Sequence, residues 1–307
     1  MEFHKYQTTL DYERKYYNKK ATSEDVWRLY GGGDPDDPDV HTEMAVQMTM
    51  EARWRINRRP FYNVWPIVQD ALARVDLSKV TGSMLQIPLP QLELRFAKSS
   101  PVSSGNAHIG GVLVAEREVP PSVAANCCAT TPILKGKADQ ITRALVVCVR
   151  YITPGVAADE SEVSGSFSFP LLDDMSVDML WKAVQVNNTG DPDMADKLKA
   201  MSICLRIFVS LCFLEEDSEI FKRIVLAKDA KKYEETGDPK YLEKAIRRGQ
   251  YGWDVGKDLK VQPHVRRRHF AIRWMGQGEP KKPVLRPVRG CVVNKDKITD
   301  MPTGHDE

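Results

Sequence analysis

Ile141 to Ile152, I-T-R-A-L-V-V-C-V-R-Y-I, is a short, valine-rich apolar run and reads as an internal strand. Working outward, Val163 to Leu172 (V-S-G-S-F-S-F-P-L-L) is a second strand and Ile109 to Ala115 a third. Within Met84 to Ala97, Leu92, Leu94 and Phe96 alternate with Gln91, Glu93 and Arg95, the pattern of a half-buried strand. Pro88 and Pro90 put a strand edge or a strand start just before it. Ser99 to Asn106 reads as a turn and Val119 to Pro132 as irregular chain. Strands joined by turns rather than by helices predict an antiparallel sheet.

Helical signals flank these strands. Met44, Met48, Ala52 and Trp54 recur at near-helical spacing within His41 to Asn57. A second helix is expected over Phe61 to Val75, kinked or started late by Pro66. Downstream, Asp191-Pro192 opens a helix through Ala195 to Leu214 that is apolar almost all round and belongs at the centre of the fold. Ile220 to Leu226 reads as a further amphipathic turn, and Asp238-Pro239 starts a helix over Lys240 to Arg248 that Gly249 stops. The first thirty residues form a helical or frayed arm, ending at Gly31-Gly32-Gly33 and the loop D-P-D-D-P-D. That loop lacks the glutamate terminus of a calcium loop and reads as a solvated turn. The expected class is α+β: an antiparallel sheet packed against helices, with a central apolar helix. The expected division is a helical N-terminal region over 1–80 and an α+β body over 81–307.

A chain of 307 residues, 42% hydrophobic and 28% charged, can bury a substantial core. Its charged beginning has no apolar signal-peptide core. The longest apolar run, Ala200 to Leu214, is interrupted by Arg206 and too short to span a bilayer. Six cysteines without CxxC spacing fit a reducing compartment and no structural zinc. The expected location is therefore the cytoplasm, with no membrane partner and no cofactor.

Gln262 to Gly278, Q-P-H-V-R-R-R-H-F-A-I-R-W-M-G-Q-G, is chemically the densest stretch. Residues 261–295 hold nine Lys/Arg and one acid, Glu279, leaving 35 basic and 41 acidic residues elsewhere. Positive charge gathered in this way usually meets phosphate or another acidic surface. Arg266, Arg267, Arg268, Arg273, Lys281, Lys282, Arg286 and Arg289 are the candidate phosphate contacts. In an extended chain, His264, Arg266, Arg268, Phe270, Ile272 and Trp274 alternate with Arg267, His269, Ala271, Arg273 and Met275. The first set turns apolar and enters the core, Trp274 included. The second presents Arg267, His269 and Arg273 together, two phosphate-holding arginines beside a proton-transferring group. His269, with His264 as second candidate, is the acid/base residue if the chain cuts RNA. His264 and His269 are five apart with no third ligand nearby, so no metal is expected. The alternative is a solvated sheet face whose arginines pair with upstream acids. Arg53, Arg55, Arg58 and Arg59 likewise either complement a helix C-terminus or form a second basic surface.

Pro263-His264-Val265-Arg266-Arg267-Arg268-His269-Phe270, followed by Trp274-x-Gly276-x-Gly278, resembles the C-terminal signature of the second family of type V-A anti-CRISPR proteins and their phage and plasmid relatives. Lys281 to Asn294 is similar to that family's basic, β-rich tail, with fainter similarity at Leu211-Cys212 and from Leu89 to Phe96. Arg268 stands where the family has glycine, and Phe270 where it has tryptophan. The resemblance implies a phage- or plasmid-encoded inhibitor acting in a bacterial host. It would recognise the nascent chain of a target, such as a type V CRISPR nuclease, and cause loss of its mRNA. The partners implied are mRNA or ribosome and a nascent polypeptide; catalysis would be by this chain or by a recruited host nuclease. A non-catalytic protein-binding inhibitor and a phage assembly protein are the alternatives.

Overall fold

The computed structural model describes residues 2–31, 43–85, 87–99, 102–104, 107–152, 162–186, 192–213, 221–225, 227–243, 247–252, 269–275 and 282–288. Helices α1 (Thr9–Tyr16), α2 (Ser23–Val26) and α3 (Glu43–Ile56) precede strand β1 (Phe61–Val64) and helix α4 (Pro66–Leu72). Strands β2 (Gln91–Phe96), β3 (Ser103–Ser104) and β4 (Ala107–Glu118) lead to helix α5 (Pro121–Thr130) and strands β5 (Arg143–Ile152) and β6 (Glu162–Leu171). Then come α6 (Val177–Val186), α7 (Pro192–Leu211), β7 (Phe221–Arg223), α8 (Ala227–Thr236), α9 (Lys240–Glu243), β8 (Arg248–Tyr251), β9 (His269–Met275) and β10 (Lys282–Val288).

The architecture is α+β. One sheet runs β6-β5-β4-β2-β1-β8-β7 with β3 added beside β4, and β9 and β10 form a separate antiparallel pair. The pairings β2-β4, β4-β5 and β5-β6 are antiparallel, as expected, although a helix rather than a turn joins β4 to β5. β1 departs from that, lying parallel to both neighbours, β2 and β8. Phe61 to Val64 is thus strand where a helix is expected, and the helix begins late, with Pro66 at its first position. Three further corrections have local causes. Val119 to Pro132 contains α5, because Pro121 opens a helix rather than breaking one. Ile220 to Leu226 includes strand β7 in place of a helical turn. Within Lys240 to Arg248 the described helix is α9, and Gly249 lies inside β8 instead of capping a helix. A Cβ at Gly249 would come within 2.4 Å of the Phe221 ring, so close strand-to-ring packing is what requires glycine.

The central strands β2, β4 and β5 are buried on both faces. Leu92, Leu94, Val112, Val114, Leu145, Val147 and Val149 belong to the main core, with Leu205, Phe208 and Val209 of the apolar helix α7. Leu113, Ala115, Val146 and Cys148 alternate with them and pack against Tyr6, Met50 and Trp54. Helix α3 and the N-terminal segment therefore cover the second face. A bulge between Ile109 and Gly111 shifts the β4 register, so Ile109 and Val112 join the same core. A Cβ at Gly111 would lie 2.5 Å from the Tyr6 backbone, which explains why glycine stands where the N-terminal segment crosses. Among the described residues no helix is long and apolar enough to cross a membrane.

Candidate functional site

Of the basic C-terminal stretch, the structure describes the backbones of β9 and β10, which place four of the sequence candidates. His269 is opposite Val288, Ala271 opposite Arg286, Arg273 opposite Val284 and Met275 opposite Lys282. His269, Arg273, Lys282 and Arg286 thus share one alternating set of register positions, although the strand centres, Ile272 and Leu285, lie thirteen positions apart in sequence. The other set pairs Ile272 with Leu285 and Trp274 with Pro283. His264, Arg266, Arg267, Arg268, Lys281 and Arg289 lie outside the described residues. Leu285 anchors the hairpin: it is buried in the main core, and its N–H donates to the Phe213 carbonyl at 2.8 Å, just past the end of α7. Val284 is buried too, so the middle of each register set is covered at β10.

A second concentration of positive charge lies where α3 ends. Helix α3 crosses the sheet: Glu51 lies near Arg150 of β5, and the Asn57 amide donates to Gln91 of β2. The Arg53 charge acts on Arg117, which shares its face of β4 with Leu113 and Ala115. Arg117 is half-buried, and its Nε has no hydrogen-bond partner. Burial, and then the Arg53 charge, lower the Arg117 guanidinium from its ordinary value. Arg59 is engaged: it pairs with Asp11 at 3.0 Å and its guanidinium lies 5.4 Å from the Trp54 ring. Arg58 and Arg59 both take left-handed backbone, φ 63 and φ 52. Their N–H groups donate to the Arg55 and Trp54 carbonyls and close the helix. A position of this kind normally falls to glycine, and an L-residue there costs about 1 kcal/mol.

The charges that sequence patterning did not single out are buried between α3, the sheet and the N-terminal segment. Glu51 accepts from the Tyr6 hydroxyl at 2.6 Å, the Thr9 N–H at 2.7 Å and the Gln47 amide at 2.9 Å, with Arg150 at 3.7 Å. Arg150 also donates to the Gln7 carbonyl at 2.7 Å and the Thr9 hydroxyl at 3.1 Å. Beside them Glu93 accepts from the Tyr6 N–H and from Arg95, each at 2.7 Å. Burial pushes Glu93 up from the ordinary carboxylate value, even though Arg95 and the Tyr6 N–H pull the other way. Burial likewise holds the Tyr6 hydroxyl neutral, well above its ordinary value. Every oxygen of Glu51 has a donor, so this carboxylate is spent on holding the N-terminal segment and leaves no room for acid/base work. Among the described residues no group of His, Cys, Asp and Glu could hold a metal ion.

No family model matches the chain, and none of the curated proteins does. Among solved structures the chain is similar to the crystal structure of AcrVA2, at 16% identity and a TM-score of 0.44, over 95% of this chain and 88% of that one.

Proposed function

We propose that the protein is an anti-CRISPR-like inhibitor that blocks production of a target protein. In this reading it recognises the nascent target chain and causes loss of its mRNA, while the basic stretch 261–295 contacts RNA or the ribosome. One observation carries the reading. The stretch that resembles the type V-A anti-CRISPR signature, Pro263 to Phe270 and Trp274 to Gly278, is the same one that holds nine basic residues against one acid. A polyanion is the natural counterpart of that charge. The antiparallel β9-β10 pair supports it, giving Arg273, Lys282 and Arg286 positions in one alternating register set beside His269.

Arg266, Arg267, Arg268, Arg273, Lys281, Lys282, Arg286 and Arg289 would hold phosphates in this reading, and His269, with His264, would move the proton if the chain cuts RNA itself. Purified protein incubated with RNA separates the two forms of the mechanism. A ribonuclease loses cleavage on His269→Ala and keeps binding; a recruiter of a host nuclease leaves purified RNA intact. A protein that retains no RNA and sediments away from ribosomes would contradict both.

A further inference from the structure

We propose that the end of α3, Arg53, Arg55 and Arg58 together with Arg117 of β4, is a second contact surface, and that its partner is the phosphodiester backbone of a nucleic acid. The surface lies on the sheet face opposite the one where Leu285 docks the C-terminal hairpin, so it does not depend on residues 261–295.

Four observations lead there. Arg53 and Arg58 are exposed and Arg55 and Arg117 half-buried, and none of the four has an ion-pair partner among the described residues. The nearby acids are occupied or turned away: Asp11 pairs with Arg59, Glu116 pairs with Arg143, and Glu118, two steps along β4 from Glu116, shares its side of the strand rather than that of Arg117. The Arg117 Nε is buried without an acceptor, although the neighbouring Arg53 adds repulsion. Finally, arginine stands at position 58 with φ 63, where glycine would be easier. Arg59 earns its place through Asp11 and Trp54; Arg58 has no such contact among the described residues, which gain nothing visible from its side chain. A residue kept against backbone preference, exposed and charged, points to a partner.

The partner's chemistry follows from the donors. Several guanidinium groups spread over a helix end and the neighbouring strand match an anion repeated along a chain better than a single carboxylate. A guanidinium fork also meets two oxygens of one phosphate at once.

The test is binding of a fluorescently labelled single-stranded RNA of mixed sequence to the full chain, across a salt series, for the native protein, Arg53→Ala/Arg58→Gly and Arg266→Ala/Arg267→Ala. The expected result is that Arg53→Ala/Arg58→Gly weakens binding about tenfold and lowers the slope of log affinity against log salt by about 1 for each phosphate contact removed. This loss should add to that of the C-terminal pair, so failure of one surface is distinguishable from failure of the other. Arg58→Gly alone should raise the urea midpoint while weakening binding, a combination that a purely structural arginine would not produce. Unchanged affinity and slope in Arg53→Ala/Arg58→Gly would overturn the proposal. So would competition by polyglutamate as effective as by unlabelled RNA, which would make the surface one for acidic protein.

Discussion

Glu51 shows how the interior is wired one residue at a time. Apolar spacing on α3 picks Met44, Met48, Ala52 and Trp54; Met48 and Trp54 are buried and Met44 packs against the Met48 cluster, but Ala52 is exposed, and the helix also turns Ala45, Gln47, Met50 and Glu51 inward. Two polar side chains sit on the buried stripe because the N-terminal segment supplies their partners, and those contacts are remote in sequence and invisible to periodicity. Replacing Glu51 by leucine leaves Arg150 buried without its carboxylate and should cost about 3–5 kcal/mol, read as a fall in the urea midpoint. Gly111→Ala pushes a methyl group into the Tyr6 backbone; a loss of about 2 kcal/mol and faster proteolysis near the N-terminus are expected. The Asp11 carboxyl is raised by partial burial but held below its ordinary 3.8 by Arg59 and Thr8. Its contribution is therefore present at neutral pH and lost as pH falls below 3.8 through the depressed value. Asp11→Asn should lower stability slightly at neutral pH and flatten the acid limb of a stability-against-pH curve; an acid limb identical to the native one would refute this.

At the scale of elements, hydrophobic patterning reads well where a segment is long and its neighbours are close in sequence. β5 and β6 lie within a residue or two of the stretches read as strands, and α7 spans Pro192–Leu211 as the apolar helix should. It reads poorly where partners come from far along the chain. β1 and β8 are four residues each, and their strand character comes from pairing Phe61 with both Glu93 and Arg248. Arg206, which interrupts the apolar run of α7, shows the same long-range logic. Its guanidinium donates to the Ala73 carbonyl at 3.1 Å and the Val75 carbonyl at 2.8 Å, and pairs with Asp178 at 2.5 Å. It ties the C-terminal end of α4 and the first turn of α6 to the central helix. Arg206→Met keeps the packing volume but orphans two carbonyls, so a loss of about 2 kcal/mol is expected. A urea midpoint unchanged by that substitution would show the carbonyls rehydrated at no cost.

At the scale of the whole molecule, the described sheet is covered on both sides, and two basic surfaces are proposed. One is the C-terminal stretch whose hairpin docks through Leu285; the other is the end of α3. Of the first, the extended character of residues 269–274 was legible in the sequence. The register that groups Lys282 and Arg286 with His269 and Arg273 was not, because it is set by pairing between two strands. Of the second, the sequence revealed the arginines near residues 53–59 but not Arg117, which strand packing alone brings beside Arg53. In the proposed function the protein works on a message being translated, through residues 261–295. Affinity purification of the native protein and of Arg266→Ala/Arg267→Ala from a bacterial host, with sequencing of bound RNA and identification of bound proteins, tests it most directly. Ribosomes and one enriched message are expected with the native protein, both lost in the double variant. A single bound protein without RNA, unchanged in the double variant, would contradict it and make the basic stretch a part of the architecture.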